Sequence, residues 1–445
     1  MSQDVKPPRV VGTFGASLMS VNGMIGAGIF ALPALLYERT GAFAPWMFLI
    51  FGGFFACGTL ISAKLATMFK SSGGPQLYVQ TAFGPMLGFQ VGWLLVIAMA
   101  AGRAATLHVL VSYLAVFFPA LDGPVARPIA VLSLLLALGG LSLSGMRRAV
   151  DGLVVGTVLK VTPIIVLCIA AFAKGGLSVS VKPPDVGTVD SVALLVFFAY
   201  SGVSNAAFSA GEVKNPHRTL PLSMLTSLAI IVVFYMAVQW AYIAAGAPSN
   251  GHGTPLAAAA GKLMGPAGAV ALTLAAVFSI ASNSLAFFVA GPRVIFGMAE
   301  RRLLPERLAH VSTRFLTPDW AIALFTLVVA IISLSGTFAF LAEVTSVGSQ
   351  LVSLCTIAAF VLLLVQQGRT GTWGLSPFWI AIVAVSVAFL IYGMLQATVA
   401  AYLLIVAIVC WQHSGPDDAP RTCDASSPEL RARRIDGRNS SWRQR

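Results

Sequence analysis

Residues 22–30 read Asn-Gly-Met-Ile-Gly-Ala-Gly-Ile-Phe and lie within the first long apolar run of this 445-residue chain. Three glycines in six positions weaken a helix, because each glycine costs about 1 kcal/mol relative to alanine. In lipid, unwound backbone survives only where it is buried in protein or lines a cavity. A break here would offer C=O groups to an ammonium and N–H groups to a carboxylate. Close helix packing through small residues explains the glycine spacing equally well.

The composition places this stretch in lipid. Hydrophobic residues make up 57% of the chain and charged residues 10%, whereas soluble proteins contain about 45–50% apolar and roughly 25% charged residues. A soluble fold of this length would need far more polar surface. The composition therefore excludes a soluble enzyme, a disordered chain and a nucleic-acid-binding domain, and it indicates an all-α integral membrane protein.

Apolar runs bounded by charges or by Pro and Gly clusters predict twelve membrane-spanning helices, because they are long enough to cross a bilayer and do not alternate in polarity. We number these runs as spans 1–12: 11–36, 43–68, 86–118, 128–146, 150–173, 191–211, 220–245, 266–298, 319–335, 340–365, 377–394 and 397–413. Span 1 is expected to be a membrane helix rather than a cleaved signal peptide, because it is too long and continues through Pro33.

The positive charges predict the orientation of these spans. An even number of spans puts both termini on one side, and 21 of the 28 Lys and Arg residues fall on that side, with 5 on the other. The excess of positive charge indicates that residues 1–10 and the basic tail at 414–445 are cytoplasmic. The net charge of +12 is therefore mainly a signal of topology. The tail either contacts anionic lipid headgroups or is simply solvated.

A second interruption is predicted in span 6. Residues 197–205 read Phe-Phe-Ala-Tyr-Ser-Gly-Val-Ser-Asn and place polar residues in the middle of an apolar run. If residues 11–173 and 191–365 are two repeats of five helices, followed by a pair at 377–413, the two interruptions occupy corresponding positions. Interrupted helices at matching positions of two repeats are typical of a transporter's binding site, which favours a functional site over simple packing.

Two basic residues lie near the middle of spans, where an ionisable side chain is by default a functional hypothesis. Lys160 lies in span 5, and burial disfavours the charged form of its amine, so it can release a proton. Arg103 lies in span 3 and keeps its charge. It either attracts the carboxylate side chain of an acidic ligand or pairs with an acidic residue such as Glu343, which is expected near the outer end of span 10.

Several motifs resemble those of the amino acid–polyamine–organocation superfamily of permeases over residues 11–365. The motifs are Gly-Ala-Gly-Ile-Phe at 26–30, Lys-Ser-Ser-Gly-Gly-Pro at 70–75, Ala-Phe-Gly-Pro at 82–85, Glu-Val-Lys-Asn-Pro-His-Arg-Thr-Leu-Pro at 212–221, and Arg293, Met298-Ala299, Leu304-Pro305 and Thr317-Pro318. The resemblance implies a LeuT-type inverted repeat of five plus five helices, with helices 1 and 6 broken and two further C-terminal helices.

The resemblance also implies a site for a zwitterionic amino acid near the bilayer midplane. It assigns the carboxylate to backbone N–H groups, the ammonium to backbone carbonyls, and a cover over the substrate to an aromatic side chain, Phe198 or Tyr200. The matching residues are Ala27, Gly28 and Ile29 for the carboxylate, Met24, Phe198 and Ser201 for the ammonium, and Gly26, Tyr200, Gly202 and Ser204 beside them, with Asn205 a further candidate.

Departures from the superfamily pattern limit the expected substrates and partners. Many relatives carry Glu at the position of Ser204, and Glu-Glu at 211–212, where this chain has Gly-Glu, so selectivity for cationic side chains loses support. The loop at 119–127 lacks the cysteine that some relatives use, so no disulfide-linked accessory subunit is expected. Lys160 is similar to a helix 5 lysine that replaces a sodium ion in sodium-independent relatives. It is expected to carry the coupling proton or to act as a charged strut between helices 1, 5 and 8.

The expected function is secondary active transport of amino acids across the plasma membrane, by sodium-independent proton symport or exchange with alternating access. Neutral side chains are favoured, because most predicted site residues are small or apolar. A transport-inactive amino acid sensor is the alternative, and acidic substrates or export are variants. No enzyme activity, cofactor, metal site or nucleic-acid partner is expected. The five cysteines show no metal or disulfide spacing: Cys57, Cys168, Cys355, Cys410 and Cys423.

Overall fold

A computed structural model describes residues 12–69, 74–143, 147–175, 183–203, 213, 215–246, 253–312, 317–368 and 376–411. These residues form α-helices joined by turns and short loops. The helices are α1 (Thr13–Met24), α2 (Ala27–Thr40), α3 (Ala44–Met68), α4 (Gly74–Phe83), α5 (Pro85–Ala115), α6 (Ala126–Leu143), α7 (Arg147–Gly175), α8 (Val186–Ala199), α9 (Pro216–Ala244), α10 (Pro255–Glu300), α11 (Asp319–Ser333), α12 (Phe338–Gly368), α13 (Pro377–Leu395) and α14 (Val399–Trp411). Residues up to Val406 belong to one compact unit.

The helices follow the predicted apolar runs closely, and the helical membrane class is confirmed. Within the described residues, seven helical stretches are long and apolar enough to cross a bilayer: Ala27–Met68, Pro85–Ala115, Ala126–Leu143, His217–Ala244, Pro255–Glu300, Phe338–Gln366 and Pro377–Leu395. Two further apolar helices, Gly187–Ala199 and Asp319–Ser333, are shorter. The count of twelve spans stays a prediction.

The first apolar run is interrupted where its glycines lie. Helix α1 ends at Met24 and α2 begins at Ala27. Ile25, with ψ of 83°, and Gly26, with φ of −130° and ψ of −143°, both leave the helical region between them. Helix α2 then continues through Pro33. The chain therefore presents the carbonyl end of one half-helix beside the amide end of another.

The helix that begins span 6 also ends well before the end of the predicted span. Helix α8 ends at Ala199, and residues 200–203 form turns. The two remaining predicted site residues of this run, Ser204 and Asn205, lie outside the described residues, as do the residues at 211–212. The structure therefore describes one side of the predicted interruption.

Helix α5 lies at the centre of the packing and contacts α10, α11 and α12. Small residues allow the close approach to α12. A Cβ atom on Gly102 would lie 3.2 Å from Thr345, and one on Gly348 would lie 2.9 Å from Ala98. Small residues at helix contacts are the usual way to pack helices in lipid, where side-chain burial alone provides little driving force. This packing encloses Arg103, which is 6% exposed.

Two elements differ from the sequence expectation. Residues 74–83 form the short helix α4, although this segment lies between two predicted spans and belongs to neither. Helix α10 begins eleven residues before span 8, at Pro255. Gly265 interrupts it with φ of 75°, a conformation that favours glycine, and span 8 begins at the next residue, Pro266. The apolar run therefore marks the part of α10 after this interruption.

Candidate substrate-binding site

The backbone carbonyls at the break between α1 and α2 accept hydrogen bonds from three other helices. The side-chain amide of Asn283, on α10, donates to the carbonyl of Asn22 at 2.8 Å and to that of Gly23 at 3.2 Å. The last carbonyls of a helix have no partner within the helix. Asn283 therefore satisfies two groups that would otherwise be exposed in a low-dielectric interior.

Tyr235, on α9, joins the two interrupted helices. Its hydroxyl lies 2.7 Å from the carbonyl of Met24, at the end of α1, and 3.2 Å from that of Ala199, at the end of α8. A hydroxyl carries one hydrogen, so the two carbonyls share a single donor. Tyr235 is 1% exposed and its ring packs on Phe48 and Tyr200, which fixes the hydroxyl between the two helix ends.

Lys160, on α7, reaches the same break and is fully buried. Its ammonium nitrogen donates to the side-chain oxygen of Asn22 and to the carbonyl of Ile25, the latter at 3.2 Å. Together with Asn283 and Tyr235, it supplies a donor to each of the four consecutive carbonyls at 22–25. The sequence-based expectation that Lys160 lies close to helix 1 is thus matched by its contacts, while its role in coupling stays a prediction.

The two interruptions are in direct backbone contact. A Cβ atom on Gly202 would collide with the backbone of Gly23 and Met24, so only a glycine permits this approach. On the other side of the break, a Cβ on Gly28 would lie 3.4 Å from the Cα of Ala199. The first turn of α2 therefore packs on the end of α8.

The N–H groups predicted to hold a carboxylate lie at the start of α2. Ala27, Gly28 and Ile29 form its first turn, and all three are buried. The first N–H groups of a helix have no intrahelical partner and carry the positive end of the helix dipole. Gly26 precedes them as the capping residue, and it has no side chain to cap them. The geometry therefore suits an anionic group.

A cavity of about 130 Å³ lies beside the broken helices. It is bordered by residues of α3, α5, α8, α12 and α13, by Pro75 of α4, by the turn after α8 and by Phe287 of α10. Of the sequence-predicted residues, Tyr200, Ser201 and Arg103 line it, whereas the backbone site at 24–29 and Lys160 do not. Phe198 packs on Phe338, with ring centroids 5.7 Å apart, and also lies off the cavity. The aromatic side chains of this helix that border the cavity are Phe197 and Tyr200.

Arg103 does not form the pairing with Glu343 that the sequence left open. Its Nη1 donates to the side-chain oxygen of Asn283 at 2.6 Å, and its guanidinium lies 3.8 Å from the ring centre of Phe287. The carboxylate of Glu343 accepts a hydrogen bond from the backbone N–H of Thr398. Glu343 lies five residues after Phe338, the start of its helix, and its carboxylate is used by Thr398 rather than by Arg103.

Three residues of this region escaped the sequence analysis: Asn283, Tyr235 and Gln350. Asn283 lies in an apolar run together with Ser279, Ser282 and Ser284, a pattern that also fits ordinary helix packing. Asn283 carries no charge, so the rule that picks out charged residues in spans does not identify it. The amide group of Asn283 is the signal in the sequence that indicates its role. A side-chain amide has two N–H donors and an oxygen acceptor, and all of them need partners in lipid.

Comparisons with known proteins identify the family to which the chain belongs. Residues 11–411 match the family described as amino acid permease. The chain is 28% identical over 370 residues to the cationic amino acid transporter 4, vacuolar, of Arabidopsis thaliana, and 26% identical over 337 residues to the serine/threonine exchanger SteT of Bacillus subtilis. It is 30% identical over 269 residues to the cadaverine/lysine antiporter of Escherichia coli.

The matches cover 78%, 73% and 58% of this chain, respectively, and 61%, 76% and 59% of the three relatives. The chain thus spans about three fifths of the vacuolar transporter and of the antiporter. All three relatives are transporters by name, not enzymes, and the family match includes both interrupted helices and the cavity. With its long apolar helices, this is a multi-pass membrane protein. The chain belongs to the amino acid permease family, within the superfamily whose motifs its sequence resembles.

Proposed function

We propose that the protein is a secondary active transporter that carries amino acids across the cell membrane by alternating access. The proposed architecture has twelve spans, with a five-plus-five inverted repeat and two C-terminal helices. The observation that supports it most strongly is the break between α1 and α2, where the four carbonyls at 22–25 meet donors from three other helices. An ordinary kink would not need polar partners from α7, α9 and α10.

The break can bind both ends of an amino acid. The N–H groups of Ala27, Gly28 and Ile29 receive the carboxylate, because the start of α2 carries a partial positive charge. The ammonium binds the carbonyl of Met24, which Tyr235 occupies in this structure. Binding therefore displaces the Tyr235 hydroxyl and weakens the link between α1, α8 and α9. Loss of this link is the local event that we propose allows the repeats to rock.

Lys160 supplies the proposed coupling group. A neutral amine has two N–H bonds, which are enough for its two acceptors, the side chain of Asn22 and the carbonyl of Ile25. The protonated form adds a third donor and a charge. Both states are therefore compatible with these contacts, and the proton can leave without breaking them. The fixed position of this cation beside helix 1 supports transport that is independent of sodium.

The distribution of Lys and Arg supports an orientation with both termini in the cytoplasm of the cell. We propose that the protein works in the plasma membrane without a disulfide-linked accessory subunit, and that its coupling ion is the proton. Exchange of one amino acid for another uses the same site, with the proton bound throughout the cycle.

Uptake into proteoliposomes tests this proposal. The purified chain is reconstituted and supplied with a panel of labelled amino acids under an imposed pH gradient, an imposed sodium gradient or neither. We expect accumulation of at least one amino acid that responds to the pH gradient, or exchange that needs no gradient. Binding without transport of any amino acid would indicate a sensor, and dependence on sodium would contradict the role of Lys160.

A further inference from the structure

Within the described part of the chain, the cavity beside the broken helices contains a cation without a counter-charge. Arg103 is 6% exposed, and its guanidinium has five N–H donors. Among the described residues, its hydrogen-bond acceptor is Asn283, and its Nε meets no acceptor at all. Phe287 offers only the face of its ring. A buried guanidinium in this state carries a large desolvation cost that a neutral amide and a ring do not offset.

A second unpartnered polar side chain lines the same cavity. Gln350, on α12, is 2% exposed, and neither its amide nitrogen nor its amide oxygen has a hydrogen-bond partner among the described residues. Buried amides are nearly always hydrogen-bonded. Two unpartnered buried groups on facing helices, α5 and α12, indicate that this part of the cavity is built to hold a polar ligand group.

The charges around the cavity indicate which ligand group fits. Its described lining contains Arg103 and several neutral polar residues, but no Asp or Glu. The neutral polar lining residues are Ser201, Thr345, Ser346, Ser349, Gln350 and Ser353. A cationic side chain would be repelled there, and a neutral apolar side chain would leave the guanidinium unpaired. A carboxylate supplies the missing charge, and it accepts the kind of N–H bond that Arg103 and Gln350 can each donate.

We propose that Arg103 and Gln350 form the side-chain subsite of the transporter and that they bind the carboxylate of an acidic amino acid such as glutamate or aspartate. This rests on the proposed function, because the α-amino and α-carboxylate groups of the same ligand bind at the helix break. Asn283 connects the two places. Its oxygen accepts from Arg103 at 2.6 Å, and a Cβ on Gly26 would lie 2.9 Å from that same oxygen. The guanidinium is thus one amide group away from the break.

The proposed subsite selects acidic side chains, whereas the sequence favoured substrates with neutral side chains. That expectation relied on Ala27, Phe198, Tyr200 and Ser204. Phe198 packs on Phe338 rather than on the cavity, and Ser204 lies outside the described residues. Among the described lining residues, Arg103 carries the charge, and the charge of a largely buried guanidinium outweighs neutral lining groups in selecting a ligand.

Counterflow into proteoliposomes tests the subsite. Vesicles are loaded with one unlabelled amino acid and exposed to the same amino acid in labelled form, using glutamate, aspartate, glutamine, asparagine, leucine and lysine in turn. We expect glutamate and aspartate to exchange at least about tenfold faster than glutamine and asparagine. Arg103→Gln should raise the KM for glutamate by about tenfold to hundredfold, as expected for loss of a charged hydrogen-bonding partner, and the KM for glutamine by less than about threefold.

Matched variants separate the subsite from general damage. Arg103→Lys keeps the charge but loses the planar fork, so its KM for glutamate should lie between those of the wild type and Arg103→Gln. Gln350→Glu keeps the size of the side chain and adds a negative charge, so it should exclude acidic substrates while the purified protein stays folded and monodisperse. Arg39→Gln removes an exposed cation at the end of α2 and should behave like the wild type.

The possible outcomes distinguish failure of the subsite from failure of the proposed function. Equal exchange of acidic and neutral amino acids, or an equal effect of Arg103→Gln on both, overturns the subsite and leaves transport intact. No exchange of any amino acid overturns both. Chloride is another anion that could pair with Arg103, so the assay is repeated with chloride replaced by methanesulfonate. Neutral amino acid exchange that needs chloride would also overturn the subsite, because the anion would then be inorganic.

Discussion

The side-chain oxygen of Asn283 accepts a hydrogen bond of 2.6 Å from Nη1 of Arg103, while the nitrogen of the same amide donates to the carbonyls at 22 and 23. One amide thus links the cavity to the break between α1 and α2. Both of its ends are oriented by their partners, since the guanidinium can only donate and the carbonyls can only accept. The guanidinium of Arg103 and the carbonyls at the break are therefore held relative to each other by one side chain.

Replacement of this amide should destabilise the protein. Asn283→Leu leaves two carbonyls and one guanidinium N–H without partners, which we expect to cost about 1–3 kcal/mol. Thermal unfolding of the purified protein in detergent measures the change. Ser282→Ala is the matched control, because its hydroxyl bonds only within its own helix, and it should stay within about 0.5 kcal/mol of the wild type. Equal stability of the two variants would show that Asn283 is not a structural link.

The hydroxyl of Tyr235 should stabilise the protein mainly in the absence of substrate. Tyr235→Phe keeps the ring packing but removes the donor to Met24 and Ala199, at a cost of about 1 kcal/mol. We propose that the ammonium of a substrate replaces this donor at the Met24 carbonyl. The substitution should therefore cost the substrate-bound protein less stability than the substrate-free protein. The increase in melting temperature on adding a transported amino acid should therefore be larger for the variant than for the wild type. An identical increase in both proteins would contradict competition for the Met24 carbonyl.

Lys160 should control the pH dependence of uptake. We expect Lys160→Ala to remove the response of initial uptake rates to external pH, because no other described side chain at the break carries a titratable amine. Initial rates between pH 5 and 8 in proteoliposomes measure this effect. Lys174→Ala, at the far end of the same helix, should keep the wild-type profile. A wild-type profile in Lys160→Ala would leave the residue with a purely structural role as a charged strut.

The contact between the two interrupted helices should tolerate no side chain. Gly202→Ala places a methyl group on the backbone of Gly23 and Met24, which cannot move aside as a flexible side chain can. We expect a loss of at least about 2 kcal/mol in stability and little transport. Gly187→Ala lies in the same helix α8 but faces open space, so it should have little effect. Size-exclusion chromatography after a heat step compares the two variants directly, and equal survival would contradict the contact.

The interruption of helix 1 could be predicted from sequence because its cause is local. The glycines at 23, 26 and 28 weaken the helix within a few residues, and the break appears at Ile25 and Gly26. The apolar run around Lys160 indicates only that a lone charge must find a polar partner. Its expected place beside helix 1 comes from the resemblance to sodium-independent relatives.

The polar links between helices could not be predicted from sequence in the same way. Arg103 and Asn283 are separated by 180 positions, and which helices meet is decided by the packing of the whole bundle. The hydroxyl of Tyr235 gives no signal in an apolar run, where tyrosine is a common packing residue. Helix α4 was missed because its ten residues are too short to show a clear hydrophobic period.

The central claim is that this permease exchanges amino acids at the helix break, and counterflow by the wild type beside Gly202→Ala and Gly187→Ala tests it most directly. All three proteins are reconstituted at equal density, and labelled amino acid trapped in the vesicles is measured over time. The account predicts rapid exchange by the wild type and Gly187→Ala and at least about tenfold slower exchange by Gly202→Ala. Exchange by Gly202→Ala at the wild-type rate, or no exchange of any amino acid by the wild type, would contradict it.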